Sequence, residues 1–228
     1  MKGYFVTGTD TGVGKTLAVV ALTRALVARG LRVAVMKPVA AGTVKTSAGE
    51  FNDDALDLLA ASNVKASYED VNPWLLHTPA SPHLAARFDG VSIRHERIVG
   101  AYLRLAKDAD LLLAEGAGGW LAPISATETM ADVAEKLALP VILVVGLRLG
   151  CLNHALLTRD GIRARGLPFA GWIANRLQAE MPFANLNIET LTSRFGAAPL
   201  GVIPAGTDPR SLPTPPWADE AAENLVSP

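Results

Sequence analysis

The run Gly8-Thr9-Asp10-Thr11-Gly12-Val13-Gly14-Lys15-Thr16 places glycines ahead of a lysine and a hydroxyl in an order that suits a phosphate-binding loop. Glycines let successive backbone N–H groups converge on phosphate oxygens at the positive end of a helix. In such a loop Lys15 reaches the β and γ phosphates and the Thr16 hydroxyl ligates Mg²⁺. Five residues separate Gly8 from Gly14, one more than the general form of the motif has.

Other strand ends carry further candidates. The apolar run Leu111-Leu112-Leu113-Ala114 delivers Glu115, a carboxylate suited to the metal, ahead of the Gly-rich stretch Gly116-Ala117-Gly118-Gly119. Mg²⁺ favours hard oxygens and keeps several waters, so Thr16, Glu115 and one more carboxylate suffice. The pair Asp53-Asp54 offers it; Asp54 is preferred, and Asp53 equally suits a helix N-cap. Lys37 follows a buried strand, and a second lysine near Lys15 implies more negative charge than ATP alone brings. Asn175 ends a strand with an amide able to donate to and accept from a purine edge. The segment Gly150-Cys151-Leu152-Asn153 opens a helix whose free N–H groups can hold a carboxylate. Cys151 has no recognisable base partner and reads as a buried, inert thiol, while His77, His83, His95 and His154 lack metal-ligand spacing.

These residues need a scaffold. Continuous apolar runs predict strands at Tyr4–Thr7, Arg32–Met36, Leu111–Ala114, Val141–Val145, Ala170–Ala174 and Leu200–Ile203. Helices are predicted at Lys15–Arg29, Asp54–Ala61, Arg94–Lys107, Met130–Leu137, Asn153–Arg165 and Phe183–Arg194. Alternation of this kind implies an α/β fold with a mainly parallel sheet flanked by helices, whose ligands collect at the carboxyl ends of the strands. Ser62–Gly90 reads as an elaboration of the domain. The Pro-rich, then acidic stretch from about residue 207 reads as a peripheral tail to a single domain spanning 1–228.

Half of the 228 residues are apolar and the net charge is −1, which suits one domain with a substantial core and gives no reason to expect nucleic acid or a membrane as partner. One cysteine permits no intramolecular disulfide. The chain enters its first strand without a basic, then apolar leader, and nowhere runs apolar for about twenty residues, so a cytoplasmic protein is expected.

Taken together, the phosphate loop, Lys37-Pro38-Val39-Ala40-Ala41-Gly42, Val71-Asn72-Pro73, Ser81-Pro82-His83, Glu115-Gly116-Ala117-Gly118-Gly119-Trp120 and Leu149–His154 closely resemble the dethiobiotin synthetase family, from Gly3 to about Pro204. The lengthened phosphate loop is the form that family uses. The resemblance implies a three-layer P-loop NTPase-like fold and a homodimeric ligase dependent on ATP and Mg²⁺. It would close the ureido ring of dethiobiotin from 7,8-diaminopelargonic acid and CO2, through a carbamate and a carbamic–phosphoric anhydride. Lys37, Lys15 and Thr11 are then the catalytic residues, and Thr16, Asp54 and Glu115 the metal ligands. The nucleotide would lie against Gly12, Val13, Gly14, Lys15, Thr16 and Leu17, then Asp54, Glu115, Gly116, Ala117 and Gly118. Asn175 would contact adenine, with Arg176, Pro204, Ala205 and Gly206 beside it. The diamine would meet Thr11, Lys37 and Ala41, and its carboxylate the loop Gly150, Cys151, Leu152 and Asn153 across the dimer interface. Where the family often has Ser, this chain has Ala41, so a hydroxyl contact there falls to water or backbone.

Two other classes share parts of the pattern. Regulatory ATPase switches of the partition or septum-positioning type resemble this core but carry a signature lysine where Asp10 stands. ATP-dependent amide synthetases of cofactor biosynthesis carry an added glutaminase domain that this length excludes.

Overall fold

The computed structural model describes residues 2–47, 49–208 and 214–226. In chain order the elements are β1 (Lys2–Gly8), α1 (Lys15–Ala28), β2 (Val33–Met36), β3 (Val39–Ala41), β4 (Val44–Thr46), β5 (Gly49–Phe51), α2 (Asp53–Ala61), α3 (Tyr68–Val71), β6 (Trp74–Leu76) and α4 (Pro82–Phe88). There follow α5 (His95–Ala106), β7 (Leu111–Glu115), α6 (Met130–Leu137), β8 (Val141–Leu147), α7 (Cys151–Ala164), β9 (Phe169–Arg176), α8 (Ala184–Phe195), β10 (Gly201–Ile203) and α9 (Pro216–Val226).

Six strands form one parallel sheet in the order β10-β9-β8-β1-β7-β2. All six are the continuous apolar runs of the sequence, as expected of strands covered on both faces. Alternate residues of β8 sort into two cores: Leu143, Val145 and Leu147 pack with Trp172 and Phe195 beside α7 and α8, whereas Ile142 and Val144 join the larger core that includes α1. Connections run from β1 towards the β2 edge and from β8 towards the β10 edge, so the order reverses beside β1, where an open α/β sheet forms its crevice. β1 ends at Gly8, opposite Val144, and Val6 stands opposite Glu115. The phosphate loop and the β7 carboxylate therefore emerge side by side.

α1 is buried on several sides, packing on the sheet, α2 and α9. α2 starts one residue earlier than predicted. Its N-cap is Asn52, whose side chain accepts from Ala55 N, and Asp53 and Asp54 occupy the first turn, where carboxylates suit the helix dipole. The elaboration after Ser62 contains α3, β6 and α4, and β6 pairs in parallel with β3 beside the main sheet.

The C-terminal stretch departs from the peripheral tail expected of it. Part of its Pro-rich run lies outside the described residues, but α9 buries Trp217, Ala218, Ala221, Ala222 and Leu225 against α1 and β10. The Tyr4 hydroxyl donates to Leu225 O at 2.9 Å, and a Cβ on Gly201 would stand 2.7 Å from the Trp217 ring. Small apolar residues three and four apart give this acidic helix a flat face that fits between α1 and the edge strand.

Candidate active site

The loop from Thr9 to Gly14 is held from three directions. Thr9 N donates to Val144 O at 3.0 Å. Val13 is 1% exposed, and its methyl groups fill the spaces where a Cβ on Gly8 or Gly146 would come within 2.6 or 2.9 Å of them. Asn175 Nδ2 donates to Val13 O at 2.8 Å. Gly12 and Gly14 have φ of +72° and +88°, a region that glycine enters freely, and Gly14 caps α1. Its backbone lies so near Asn175 that a Cβ would stand 2.2 Å from Nδ2.

Lys15 and Lys37, both buried, open onto a cleft of about 860 Å³ at the carboxyl edge of the sheet. Lys15 Nζ donates to Asp10 O at 3.2 Å. Burial pulls the Lys15 ammonium below its ordinary range; Glu115 opposes that pull and the neighbouring Lys37 adds to it. An anion in the cleft would relieve this cost. Lys37 Nζ donates to Glu115 Oε1 at 2.6 Å and to Asp54 Oδ2 at 2.7 Å. Burial acts to lower its pKa as well, but Glu115 and Asp54 together outweigh burial and raise it. Asp54 shows the reverse balance: burial pushes it up, and the charge and hydrogen bonds of Lys37 and Thr16 bring it below the usual carboxylate range.

Thr16 Oγ1 donates to the same Glu115 Oε1 at 2.8 Å, whereas Glu115 Oε2 is buried with no hydrogen-bond partner. A buried carboxylate oxygen without a donor fits a cation. Thr16, Glu115 and Asp54 form a set of hard oxygens suited to Mg²⁺ with its waters. Among the described residues no group of three His, Cys, Asp or Glu side chains gathers for a metal, so the fit rests on two carboxylates and a hydroxyl.

Thr11 lies exposed at the lip, and its N–H donates to Asp10 Oδ1 at 2.7 Å. Asp10 is paired with Arg148 beyond β8. Gly12, Ala117 and Gly118 line the cleft, as does Ala41 together with Pro79, Ala80 and Ser81. Gly116 is held by its N–H to Val6 O at 2.9 Å and stands against the Phe5 ring. Leu17 sits half-buried in the first turn of α1. The residues expected around adenine lie along the same sheet edge but outside the cleft lining: Asn175 pairs in register with Ile203, so Pro204, Ala205 and Gly206 continue beside it, and Arg176 donates to Asn185 of α8.

Gly150, Cys151, Leu152 and Asn153 also stand apart from the cleft lining, at the start of α7. Gly150 has φ +92° and Cys151 N donates to Arg148 O at 2.9 Å, so one of the N–H groups expected to meet a carboxylate already has an acceptor. Those of Leu152 and Asn153 have no acceptor within the helix, because the first turn has no preceding carbonyls to meet. Cys151 is free and buried. Sequence reasoning missed Asn52, Pro79 and Ala80 as cleft residues. For Asn52 a signal existed, since Asn directly before two carboxylates and an apolar helix marks an N-cap.

A protein-family model described as an AAA domain matches residues 2–209. Solved structures with a similar fold include the MinD cell division protein of Aquifex aeolicus (TM-score 0.59, 16% identity, 99% of this chain and 96% of that one). The Pyrococcus furiosus cell division ATPase MinD is comparable (TM-score 0.56, 18% identity, 99% and 98%). At such identities the likeness is one of fold. The loop, the sheet and the Glu115 carboxylate at the end of β7 thus define a P-loop nucleotide-binding α/β protein.

Curated relatives narrow this further. The chain is 48% identical over 203 residues, 89% of each sequence, to the protein of Cellvibrio japonicus (strain Ueda107) named ATP-dependent dethiobiotin synthetase BioD. A protein of that name from Vibrio parahaemolyticus serotype O3:K6 is 47% identical over 204 residues, 90% of each. The chain belongs to the ATP-dependent dethiobiotin synthetase family and is a ligase that forms carbon–nitrogen bonds.

Proposed function

We propose that this protein, acting as a homodimer with ATP and Mg²⁺, closes the ureido ring of dethiobiotin from 7,8-diaminopelargonic acid and CO2. The observation that carries the reading is Lys37, a second buried lysine beside the phosphate loop, bridging Asp54 and Glu115. A loop that only holds a nucleotide has its cation in Lys15. Lys37 adds charge for another anion.

In the proposed sequence one amine of the diamine takes up CO2, forming a C–N bond and losing a proton, to give a carbamate. A carbamate oxygen attacks the γ-phosphorus and ADP leaves. The second amine then attacks the carbamoyl carbon and gives up a proton as the second C–N bond forms. The C–O bond to the phosphoryl group breaks, and phosphate departs with the electron pair and can take that proton. Lys15 and the loop N–H groups hold the β and γ oxygens, and Lys37 turns from Asp54 to the carbamate and the transferring phosphoryl group, where charge develops. Bound Mg²⁺, held by Thr16, Asp54 and Glu115, would neutralise phosphate oxygens. No strong side-chain base is needed, since positioning and charge stabilisation dominate phosphoryl transfer.

Thr11 at the lip suits contact with the diamine, and Ser81 offers a hydroxyl on the wall where Ala41 has none. Asn175 keeps its carbonyl oxygen and a second N–H for adenine while holding Val13. The homodimer is supported by Leu149, Leu157, Phe183 and Leu186, large apolar side chains left exposed on and beside α7 and α8, next to the loop 150–153 proposed for the substrate carboxylate. No helix among the described residues is long and apolar enough to cross a membrane.

The test supplies ATP, diamine and bicarbonate to purified protein and follows ATP consumption and product mass together. ATP turnover is expected to require both other substrates and to yield the cyclic urea. Equal hydrolysis without the diamine, or no cyclic urea, overturns the reading.

A further inference from the structure

Val71-Asn72-Pro73 has no place in the chemistry above, yet Asn72 is a 2%-exposed polar residue whose hydrogen bonds lead directly to the site. Lys37 is gripped by its backbone on both sides. Its N–H donates to Val71 O at 2.7 Å, and its carbonyl accepts from Asn72 Nδ2 at 2.7 Å. The Tyr68 hydroxyl donates to Asn72 Oδ1 at 3.2 Å and accepts from Asn52 N–H at 2.8 Å. Asn52 caps the helix that bears Asp54 and donates from Nδ2 to Gly42 O at 3.0 Å. The circuit closes where Lys37 Nζ meets Asp54.

We infer that Tyr68 and Asn72 are positioning residues that fix the spacing between the Lys37 ammonium and the Asp54 carboxylate. They tie the end of β2 to the start of α2 by a route that does not pass through the lysine side chain. That side chain has to let go of Asp54 to serve the reaction. The Tyr68 relay holds the two elements in register while it does so, keeping Lys37 aimed at the reacting atoms. The ring of Tyr68 is fixed separately, edge-on to Phe51 at 4.8 Å between centroids. The hydroxyl can therefore be removed without freeing the ring.

This inference rests on the proposed role of Lys37. Tyr68→Phe deletes the relay atom and keeps the packing, so kcat for cyclic urea formation should fall about 10-fold to 100-fold with the KM for ATP nearly unchanged. Ile98→Val, which trims a buried side chain on α5, the helix packed against α3, is the control: it should lower Tm at least as much as Tyr68→Phe while kcat stays within about twofold of the parent. Asn72→Asp, which turns the donor to Lys37 O into an acceptor, should lower kcat similarly, and combining it with Tyr68→Phe should add nothing, because both break one relay. If Asn72→Asp does not fold, Tyr68→Phe against Ile98→Val decides. An unchanged kcat in Tyr68→Phe, an equal loss in Ile98→Val, or multiplying losses in the double variant overturns the relay. A parent protein that makes no cyclic urea overturns instead the reading on which the relay rests.

Discussion

Lys37 Nζ lies 2.6 Å from Glu115 Oε1, with the two side chains only 5% and 1% exposed. Such a pair tolerates loss of one partner poorly, because the other is left charged in the interior. Lys37→Ala should lower ring-closing turnover by about 10²-fold or more while nucleotide affinity changes far less. It should also destabilise the fold by about 3 kcal/mol. Mg²⁺ should raise the Tm of Lys37→Ala more than that of the parent, since the ion compensates the stranded Glu115. Equal Mg²⁺ responses in thermal melts would argue against metal at Glu115.

Gly14→Ala tests the fit of the loop to β9. The new methyl needs the space of Asn175 Nδ2 and a backbone region that L residues avoid at about 1–2 kcal/mol. ATP affinity, read by calorimetry, should fall sharply. Adding Asn175→Ala should recover at most a small part of it, because the clash goes while the backbone strain stays and the Asn175 amide no longer holds Val13 or meets adenine.

A pH dependence of stability follows from Asp110, the residue just before β7. Hydrogen bonds from the Arg32 guanidinium and backbone N–H lower its pKa from 3.8 to about 2. A carboxylate lowered on folding stabilises above its unfolded value, and the benefit fades as pH falls towards the folded one. The stability gap between the parent and Asp110→Asn should therefore be full above pH 4 and close towards pH 2. Urea melts across this range would show it, and a gap independent of pH would contradict the pairing.

Trp217→Ala tests the seating of α9. A Trp that packs against Gly201 on the edge strand should cost about 3–5 kcal/mol on truncation, with the KM for ATP unchanged. Melts combined with steady-state kinetics separate these effects.

The sheet was readable because its strands are unbroken apolar runs, and the cleft because Lys37 and Glu115 stand at or just beyond strand ends, with Lys15, Thr16 and Asp54 in the first turns of helices. What escaped depends on partners distant in the chain. Asn175, read for a purine edge, also holds Val13, 162 positions away. Tyr68 and Asn72 look like ordinary polar residues until α3 brings them between Lys37 and Asn52. The tail was misjudged because prolines and acidic residues outweighed the spacing of Trp217, Ala218, Ala221, Ala222 and Leu225, which is that of a buried helical face.

Val13, wedged between Gly8 and Gly146 with its carbonyl held by Asn175, gives the lengthened loop an anchor in the sheet itself. The ordering entropy of this cradle is thus spent during folding and does not recur at each encounter with a nucleotide. A preorganised cradle leaves more of the binding free energy to act on the reacting groups, and it predicts amide hydrogen exchange in the loop that slows little when nucleotide is added.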